Sequence, residues 1–311
     1  LKKIRSNTKP DIHTEASFPS AFRAFIRTVG PASRLRMAPT PSGFLHLGNA
    51  YNFILNWLAA RHTPGARLLL RMDDLDAERK RPEYVQDVFD TLRWLGLDWD
   101  EGPRSAEDFE QNWSQHRRLP LYEITLDRLR MGGHLFACAK SRRDLAPFAG
   151  DYLPQFREQN LPLDAPDVAW RIKTPLPRVP GLPPDFVVRR RDGVPAYQIA
   201  SLTDDLHFGV THVIRGADLA ESTAAQQFLA ECLGRTEFSR IYFLHHPLLL
   251  NSDGSKLSKS AGAAALKTRR EQGQSPEEVF QAVARWLDVG AADTARGLLQ
   301  KIQFSFHGGN P

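Results

Sequence analysis

Cysteine is scarce in this chain: 311 residues contain only Cys138 and Cys232. Two thiols cannot staple a fold of this size, and their rarity points to a reducing compartment rather than a disulfide-built secreted scaffold. Also missing is any run of about 18 apolar residues, which removes a membrane-spanning helix. The first thirty residues hold no continuous apolar stretch of the kind a secretory signal needs. No internal repeat is visible. Neither sign of charge dominates: 41 Lys and Arg face 36 Asp and Glu, a formal net charge of +5. That excess suits a phosphate-rich partner, and plain solubility as well. With 41% apolar and 25% charged residues, disorder, collagen and coiled coil are poor global readings. Length predicts about two domains.

What is present is ordered in blocks. Lys2, Lys3, Arg5 and Lys9 sit in a polar run that reads as a flexible tail. Phe18, Phe22, Phe25, Ile26 and Val29 then fall at helical spacing with Arg23 and Arg27 opposite, predicting a short amphipathic helix. From Arg34 the pattern alternates. Arg34 to Ala38 reads as a strand that ends in the rigid turn Pro39-Thr40-Pro41-Ser42-Gly43. A helix is expected from Gly48 to Arg61, a buried strand from Ala66 to Met72, and a helix opened by Pro82 that carries Val85, Phe89, Leu92 and Leu95 on one face. This order predicts an α/β fold, a Rossmann-type doubly wound parallel sheet. One long helix is expected over Glu107–Met131, then a proline-rich irregular insertion over 144–184. Phe186–Arg191 and Pro195–Ser201 flank Asp192-Gly193 as a β-hairpin, and helices return at Thr223–Leu233 and Pro276–Asp288.

Two segments carry chemistry. In Phe44-Leu45-His46-Leu47-Gly48-Asn49 a histidine stands at the start of a helix, where the N-terminus favours negative charge and His46 can donate to a phosphate oxygen. Gly48 would let a nucleotide approach the backbone. In Asn251-Ser252-Asp253-Gly254-Ser255-Lys256-Leu257-Ser258-Lys259-Ser260 two lysines three apart, among small hydroxyl residues, make a cationic loop suited to a polyphosphate. Either segment alone is also what a surface histidine or a solvated loop looks like. The two together, in this order, are more specific.

The pair resembles the two signature motifs of class I aminoacyl-tRNA synthetases. The glutamyl branch is the nearer likeness, through Arg36-Met37-Ala38-Pro39, Leu70-Arg71-Met72-Asp73-Asp74-Leu75-Asp76, Leu95-Gly96-Leu97-Asp98-Trp99, Asp192-Gly193-Val194-Pro195-Ala196-Tyr197-Gln198, Thr203-Asp204-Asp205 and Ile214-Arg215-Gly216-Ala217-Asp218. The likeness covers roughly residues 34–290. It implies that glutamate attacks the α-phosphate of ATP, with His46, Lys256 and Lys259 as the catalytic residues that neutralise phosphate charge. Gly48, Asn49, Leu257 and Ser258 complete the implied ATP site, and Mg2+ would arrive with the nucleotide. For glutamate, the family pattern points to Arg36 and Arg215 at the side-chain carboxylate, Tyr197 in the same pocket, Ala38 and Ser42 nearby, and Asp73 at the α-ammonium. Relatives commonly carry glutamate at the Asp73 position, so the contact here is expected to be longer or water-bridged. Relatives often hold zinc through Cys-x-Cys, then a tyrosine and a cysteine four residues apart. Here Lys140 and Phe156 stand in two of those places and only Cys138 and Tyr152 remain, so no zinc is expected. Cys232 reads as a small buried residue.

The resemblance divides the chain into an extension over 1–30, a catalytic domain over 31–133 and 186–262, an inserted α+β subdomain over 134–185 and a short helical segment over 263–311. Only 51 residues follow Ser260, too few for the helical anticodon-binding part of a glutamyl-tRNA synthetase. The expectation is therefore a shortened paralogue of the kind that esterifies glutamate onto the queuosine base of tRNA(Asp). The partners would be glutamate, ATP and tRNA(Asp) carrying queuosine, and the enzyme is expected to be a cytoplasmic monomer. Arg189, Arg190 and Arg191, with Lys140, Arg142 and Arg143, are the candidate basic surface for RNA. Two alternatives stay open: the catalytic part of an ordinary glutamyl-tRNA synthetase, and a non-catalytic paralogue that binds glutamate or adenylate.

Overall fold

The computed structural model describes residues 17–148, 152–248 and 266–307. The tail holding Lys2, Lys3, Arg5 and Lys9 lies outside them. The chain runs through α1 (Phe18–Ile26), β1 (Arg34–Met37), α2 (Leu47–His62), β2 (Arg67–Leu70) and α3 (Pro82–Trp94). Next come α4 (Leu119–Met131), β3 (Leu135–Cys138), β4 (Ala169–Ile172), β5 (Val187–Arg189) and α5 (Tyr197–His207). The last elements are β6 (His212–Gly216), α6 (Ala220–Cys232), β7 (Tyr242–His246), α7 (Glu277–Trp286) and α8 (Ala295–His307). Two compact units form. The first takes the described residues up to Ser114, with Val210–Ala217 and those from Ile241 on; the second takes those of Gln115–Gly209 and Asp218–Arg240.

The first unit is mixed α/β with parallel strands. β1 pairs with β2 from Arg34 opposite Arg67 to Met37 opposite Leu70, and β6 pairs with β7 from His212 opposite Tyr242 to Gly216 opposite His246. Thr211 joins the two pairs by donating its N–H to the Arg34 carbonyl at 2.9 Å. Leu35, Arg36 and Met37 of β1, Leu68, Leu69 and Leu70 of β2, and Val213, Ile214 and Arg215 of β6 are all buried, so both faces of these strands are covered, though only β2 reads as a continuous apolar run. The helices bury the faces that the spacing predicted: Phe22, Phe25 and Ile26 on α1, and Val85, Phe89 and Leu92 on α3. Each such side chain contributes about 1.5–3 kcal/mol through burial. One glycine is required by close approach. Gly102 has φ +106°, and a Cβ there would lie 2.1 Å from the Leu70 carbonyl oxygen.

His212 opens β6 beneath α1. Its ring stacks on Tyr242 at 4.9 Å, its Nδ1 lies 2.8 Å from the Thr211 hydroxyl, and its Nε2 lies 3.2 Å from Thr28 Oγ1. Burial pushes its pKa down to about 4, so the imidazole is neutral at ordinary pH.

The second unit holds an antiparallel sheet in the order β3-β4-β5 and two helices locked on one carboxylate. Asp204 of α5 is fully buried. It accepts from Arg118 Nε at 2.8 Å and Nη2 at 3.0 Å, from Gln115 Nε2 at 3.0 Å and from the Tyr122 hydroxyl at 2.8 Å. Burial disfavours the Arg118 cation, but the bonds and charge of Asp204 outweigh it and hold the pKa above the ordinary arginine value.

Two expectations are corrected. The single helix over Glu107–Met131 is broken: a turn at Ala106–Asp108 passes into a wider π-wound stretch at Phe109–Trp113, then a 3-10 turn at Gln115–Arg118 precedes α4. Ser114 interrupts it at ψ 141°, and its hydroxyl donates to Asp74 at 2.7 Å. Pro120 then starts α4 because it has no N–H for a helix interior to use. The hairpin at Asp192-Gly193 is reduced to one bridge between Arg189 and Pro195, and its second arm becomes the start of α5. Proline cannot donate to the ladder, so pairing stops there. β3 and β4 went unread in the sequence, because each is only four residues long and bounded by irregular chain.

Candidate functional site

His46 is the N-cap of α2. Its Nδ1 accepts the Gly48 N–H at 3.1 Å, and the Asn49 side-chain oxygen accepts the His46 N–H at 3.0 Å, a reciprocal capping box. An Nδ1 that accepts carries no proton, so the neutral ring presents Nε2–H as its donor. Gly48 has a clear structural reason: a Cβ there would meet His46 Cε1 at 2.9 Å and Nδ1 at 3.0 Å. Only glycine lets the ring fold over this amide. The helix N-terminus adds its partial positive charge at the same place.

Arg36 and Arg215 come from β1 and β6, the neighbouring strands joined through Thr211, and each is 3% exposed. The Arg215 guanidinium lies 5.1 Å from the Phe243 ring centroid. Asn52 and Asn56 of α2 donate to the Ile214 carbonyl at 3.1 and 3.3 Å, which fixes the backbone just before Arg215 to the helix that His46 caps. Ala38 is half-buried and Ser42 exposed in the loop after β1. Asp73 follows β2; its N–H donates to the Pro39 carbonyl at 2.9 Å. Its carboxylate is gripped by Arg71, Nε to Oδ1 at 2.7 Å and Nη2 to Oδ2 at 3.1 Å. Next to it, Asp74 accepts from Ser114 at 2.7 Å and from Lys80 at 3.1 Å. Burial works against the Lys80 cation, yet Glu110 and Asp74 hold its pKa above the ordinary lysine value.

The structure thus brings Arg36, Ala38, Ser42, His46, Gly48, Asn49, Asp73 and Arg215 into the first unit, on strands, the loops that follow them and the head of α2. Tyr197 belongs to the second unit, where it opens α5 and is 37% exposed. Lys256, Leu257, Ser258 and Lys259 lie outside the described residues. The pattern missed Arg71, whose signal was an Arg-x-Asp pair inside an apolar stretch. It also missed Asn52 and Asn56, whose spacing of four on a buried helix face is a readable signal.

In the second unit, Cys138 and Tyr152 are neighbours: the Tyr152 hydroxyl shares its one proton between Cys138 Sγ at 3.3 Å and the Phe156 carbonyl at 2.9 Å. Burial opposes the Cys138 thiolate, but bonds from Tyr152 and Gln159 outweigh it and lower the pKa. Lys140 sits 4.7 Å from the Phe156 ring centroid and Arg171 4.1 Å from that of Tyr152. Aromatic and cationic side chains fill the place where the family pattern puts metal ligands. No cluster of three or more His, Cys, Asp or Glu that could hold a metal occurs among the described residues. Cys232 is half-buried, and burial with the Glu231 charge pushes its pKa up to about 11. Of the basic candidates, Arg189 lies over the Trp170 ring at 4.7 Å, Arg190 pairs with Asp192 at 2.5 Å and Arg191 donates to the Ala139 carbonyl. No helix among the described residues is long and apolar enough to cross a membrane.

Comparison with known proteins gives the family. Residues 33–146 and 167–302 match the family described as tRNA synthetases class I (E and Q), catalytic domain. A protein of Symbiobacterium thermophilum named Glutamyl-Q tRNA(Asp) synthetase is 40% identical over 273 residues, covering 78% of this chain and 83% of its own length. One of the same name from a Synechococcus strain is 39% identical, covering 86% of this chain and 87% of its own. A glutamate–tRNA ligase of Symbiobacterium thermophilum is 35% identical, but only 61% of its length is covered. The crystal structure of a glutamate–tRNA synthetase from Elizabethkingia anophelis superposes with a TM-score of 0.68 at 22% identity, over 87% of this chain and 66% of that one, which speaks for the fold alone. The chain belongs to the class I (E and Q) tRNA synthetases.

Proposed function

We propose that this chain activates L-glutamate with ATP, without help from tRNA, and transfers it to the queuosine base in the anticodon of tRNA(Asp). The observation that carries the reading is the pattern of coverage. Relatives named Glutamyl-Q tRNA(Asp) synthetase are matched over 82–87% of their length at 38–40% identity. Relatives named glutamate–tRNA ligase are matched over 56–62% at 34–35%.

In the first half-reaction a carboxylate oxygen of glutamate attacks the α-phosphorus, and pyrophosphate leaves. The carboxylate is already ionised at neutral pH, so no general base is needed. What the protein must supply is positive potential where phosphate charge grows. On this reading His46 donates through Nε2–H, and Lys256 and Lys259 hold the β- and γ-phosphates. Magnesium fits as a companion of ATP, held by phosphate oxygens and water. Buried Arg36 and Arg215 receive the side-chain carboxylate, and Asp73, oriented by Arg71, meets the α-ammonium. In the second half-reaction a hydroxyl of the queuosine ring attacks the acyl carbon, AMP leaves with the bonding pair, and the hydroxyl proton passes to solvent water.

The parallel strands support a Rossmann-type sheet. In such sheets ligands bind beyond the carboxyl ends of strands where the order reverses, and the ends of β1 and β6 carry Arg36 and Arg215. The functional division proposed is a catalytic domain over 31–133 and 186–262, interrupted by 134–185. It cuts the chain differently from the two compact units, because α4 and α5 pack on each other through Asp204. The enzyme is proposed to act as a monomer in the cytoplasm, where ATP and tRNA meet.

The test is to offer labelled glutamate with tRNA(Asp) containing queuosine, tRNA(Asp) lacking it, and tRNA(Glu). Label on the first alone is expected. Label on tRNA(Glu) would make the chain the catalytic part of an ordinary glutamyl-tRNA synthetase, and absence of any adenylate would make it a binder. Lys256→Ala should lower pyrophosphate exchange by roughly 100-fold or more while glutamate binding holds, as expected for a group that acts on transition-state charge.

A further inference from the structure

One buried carboxylate in the first unit joins two stretches of chain that are remote in sequence. Asp87 lies on α3 and is 3% exposed. Its Oδ2 accepts the backbone N–H of Leu45 at 2.7 Å, and Leu45 immediately precedes the His46 cap. Its Oδ1 accepts from Arg270 Nη2, while Arg270 Nη1 donates to the Thr91 hydroxyl one turn further along α3. Arg270 belongs to the helical residues 266–271, which Leu266 anchors in the core at 1% exposure. The same two stretches touch directly: Lys267 Nζ lies 4.0 Å from the Phe44 ring centroid, and Phe44 packs edge-on against Tyr84 of α3 at 5.0 Å.

The two oxygens therefore have different tasks. One fixes the backbone that delivers His46 to the head of α2. The other fixes the helix that, in sequence, follows Lys259 by seven residues. A carboxylate buried to this degree needs a countercharge, which Arg270 supplies, and the Leu45 N–H needs an acceptor, which Asp87 supplies. Removing either partner frees one stretch from the other. Displacing a donor by about 1 Å from its reacting group can cost about 100-fold in rate.

We propose that Asp87 is a positioning residue for ATP activation, setting the spacing between the His46 cap and helix 266–271 through its paired bonds to Leu45 and Arg270. This rests on the reading of His46 as a phosphate donor. Asp87 itself touches no substrate, so its effect passes through those two elements.

The test uses the full chain in pyrophosphate exchange, with glutamate affinity measured separately by calorimetry without ATP. Asp87→Asn keeps an acceptor for Leu45 and removes the charge from Arg270; Arg270→Gln removes the same link from its half-buried end. Each should lower kcat/KM for ATP about tenfold or more, the scale of a displaced catalytic group, while glutamate affinity stays within about twofold. The double variant should lose no more than the worse single one, because both break one link. Arg270→Lys should recover part of the loss.

Should the wild type exchange pyrophosphate while both single variants match it, the proposal fails. It fails equally if ATP and glutamate parameters fall together in step with a lowered melting temperature, the mark of a merely structural role. A wild-type chain with no exchange at all would instead overturn the activity reading, and the role of Asp87 with it.

Discussion

Asp87 and Asp204 are both buried carboxylates held by arginine, yet they join different things. Asp204 gathers Gln115, Arg118 and Tyr122, all within one short stretch leading into α4, and staples it to α5. Asp87 gathers a backbone amide next to His46 and a guanidinium 183 residues along the chain. The first arrangement maintains a unit. The second maintains a distance within a site. Burial and pairing alone do not tell the two apart; the partners do.

The comparison is most easily broken by removing Asp204. Asp204→Ala leaves Arg118 buried without its countercharge and should cost about 3–5 kcal/mol of stability, read by urea unfolding. Activity per folded molecule should be unchanged, and a specific loss of pyrophosphate exchange at full folding would erase the distinction. His212 sharpens it as a buried group with no charge to pair. Its pKa is about 4 in the folded chain against 6.5 for the ordinary ring, so the unfolded state takes up a proton first. Its contribution is complete above pH 6.5 and declines as pH falls toward 4. By pH 5 about 2 kcal/mol should be gone, and His212→Asn should flatten that part of the pH–stability curve.

Gly48→Ala probes the site from the opposite direction. Alanine suits a helix better than glycine by about 1 kcal/mol, but losing the His46 cap costs a similar amount, so stability should hold within about 1 kcal/mol. The new Cβ evicts the His46 ring, so exchange should drop about tenfold or more. Loss of folding instead would mean the glycine serves the fold first. The smallest effect is Tyr122→Phe, which removes one of the donors to Asp204 and should cost about 1–2 kcal/mol without touching activity.

Much of this was legible in the chain. Pro82 announced α3, the apolar run Ala66–Met72 announced β2, the rigid turn after Ala38 marked the end of β1, and the helical spacing of Phe18, Phe22 and Phe25 announced α1. The place of His46 at the head of a helix was legible because the signal is local, Gly48 and Asn49 standing within four residues, while its capping bond was not read. What stayed hidden was non-local or competitive. The bond from Leu45 to Asp87 spans 42 residues, and no periodicity encodes it. The break at Ser114 depends on a carboxylate 40 residues upstream. The hairpin signal at Asp192-Gly193 was real as a turn, with Gly193 at φ +85°, but Pro195 ended the pairing it began. Gly48 was read as space for a nucleotide, while the contact that its missing Cβ permits in the structure is with His46.

The grip of Arg71 on Asp73 changes what a substrate amine would encounter. A lone carboxylate acts on an ammonium as a monopole, whose pull fades slowly with distance. A carboxylate bonded edge-to-edge with a guanidinium acts as a dipole, whose pull fades a full power of distance faster. Discrimination between glutamate and glutarate would then reside in a narrow shell of contact rather than in a broad field. Such a shell rewards a ligand already in place and does little to draw one in.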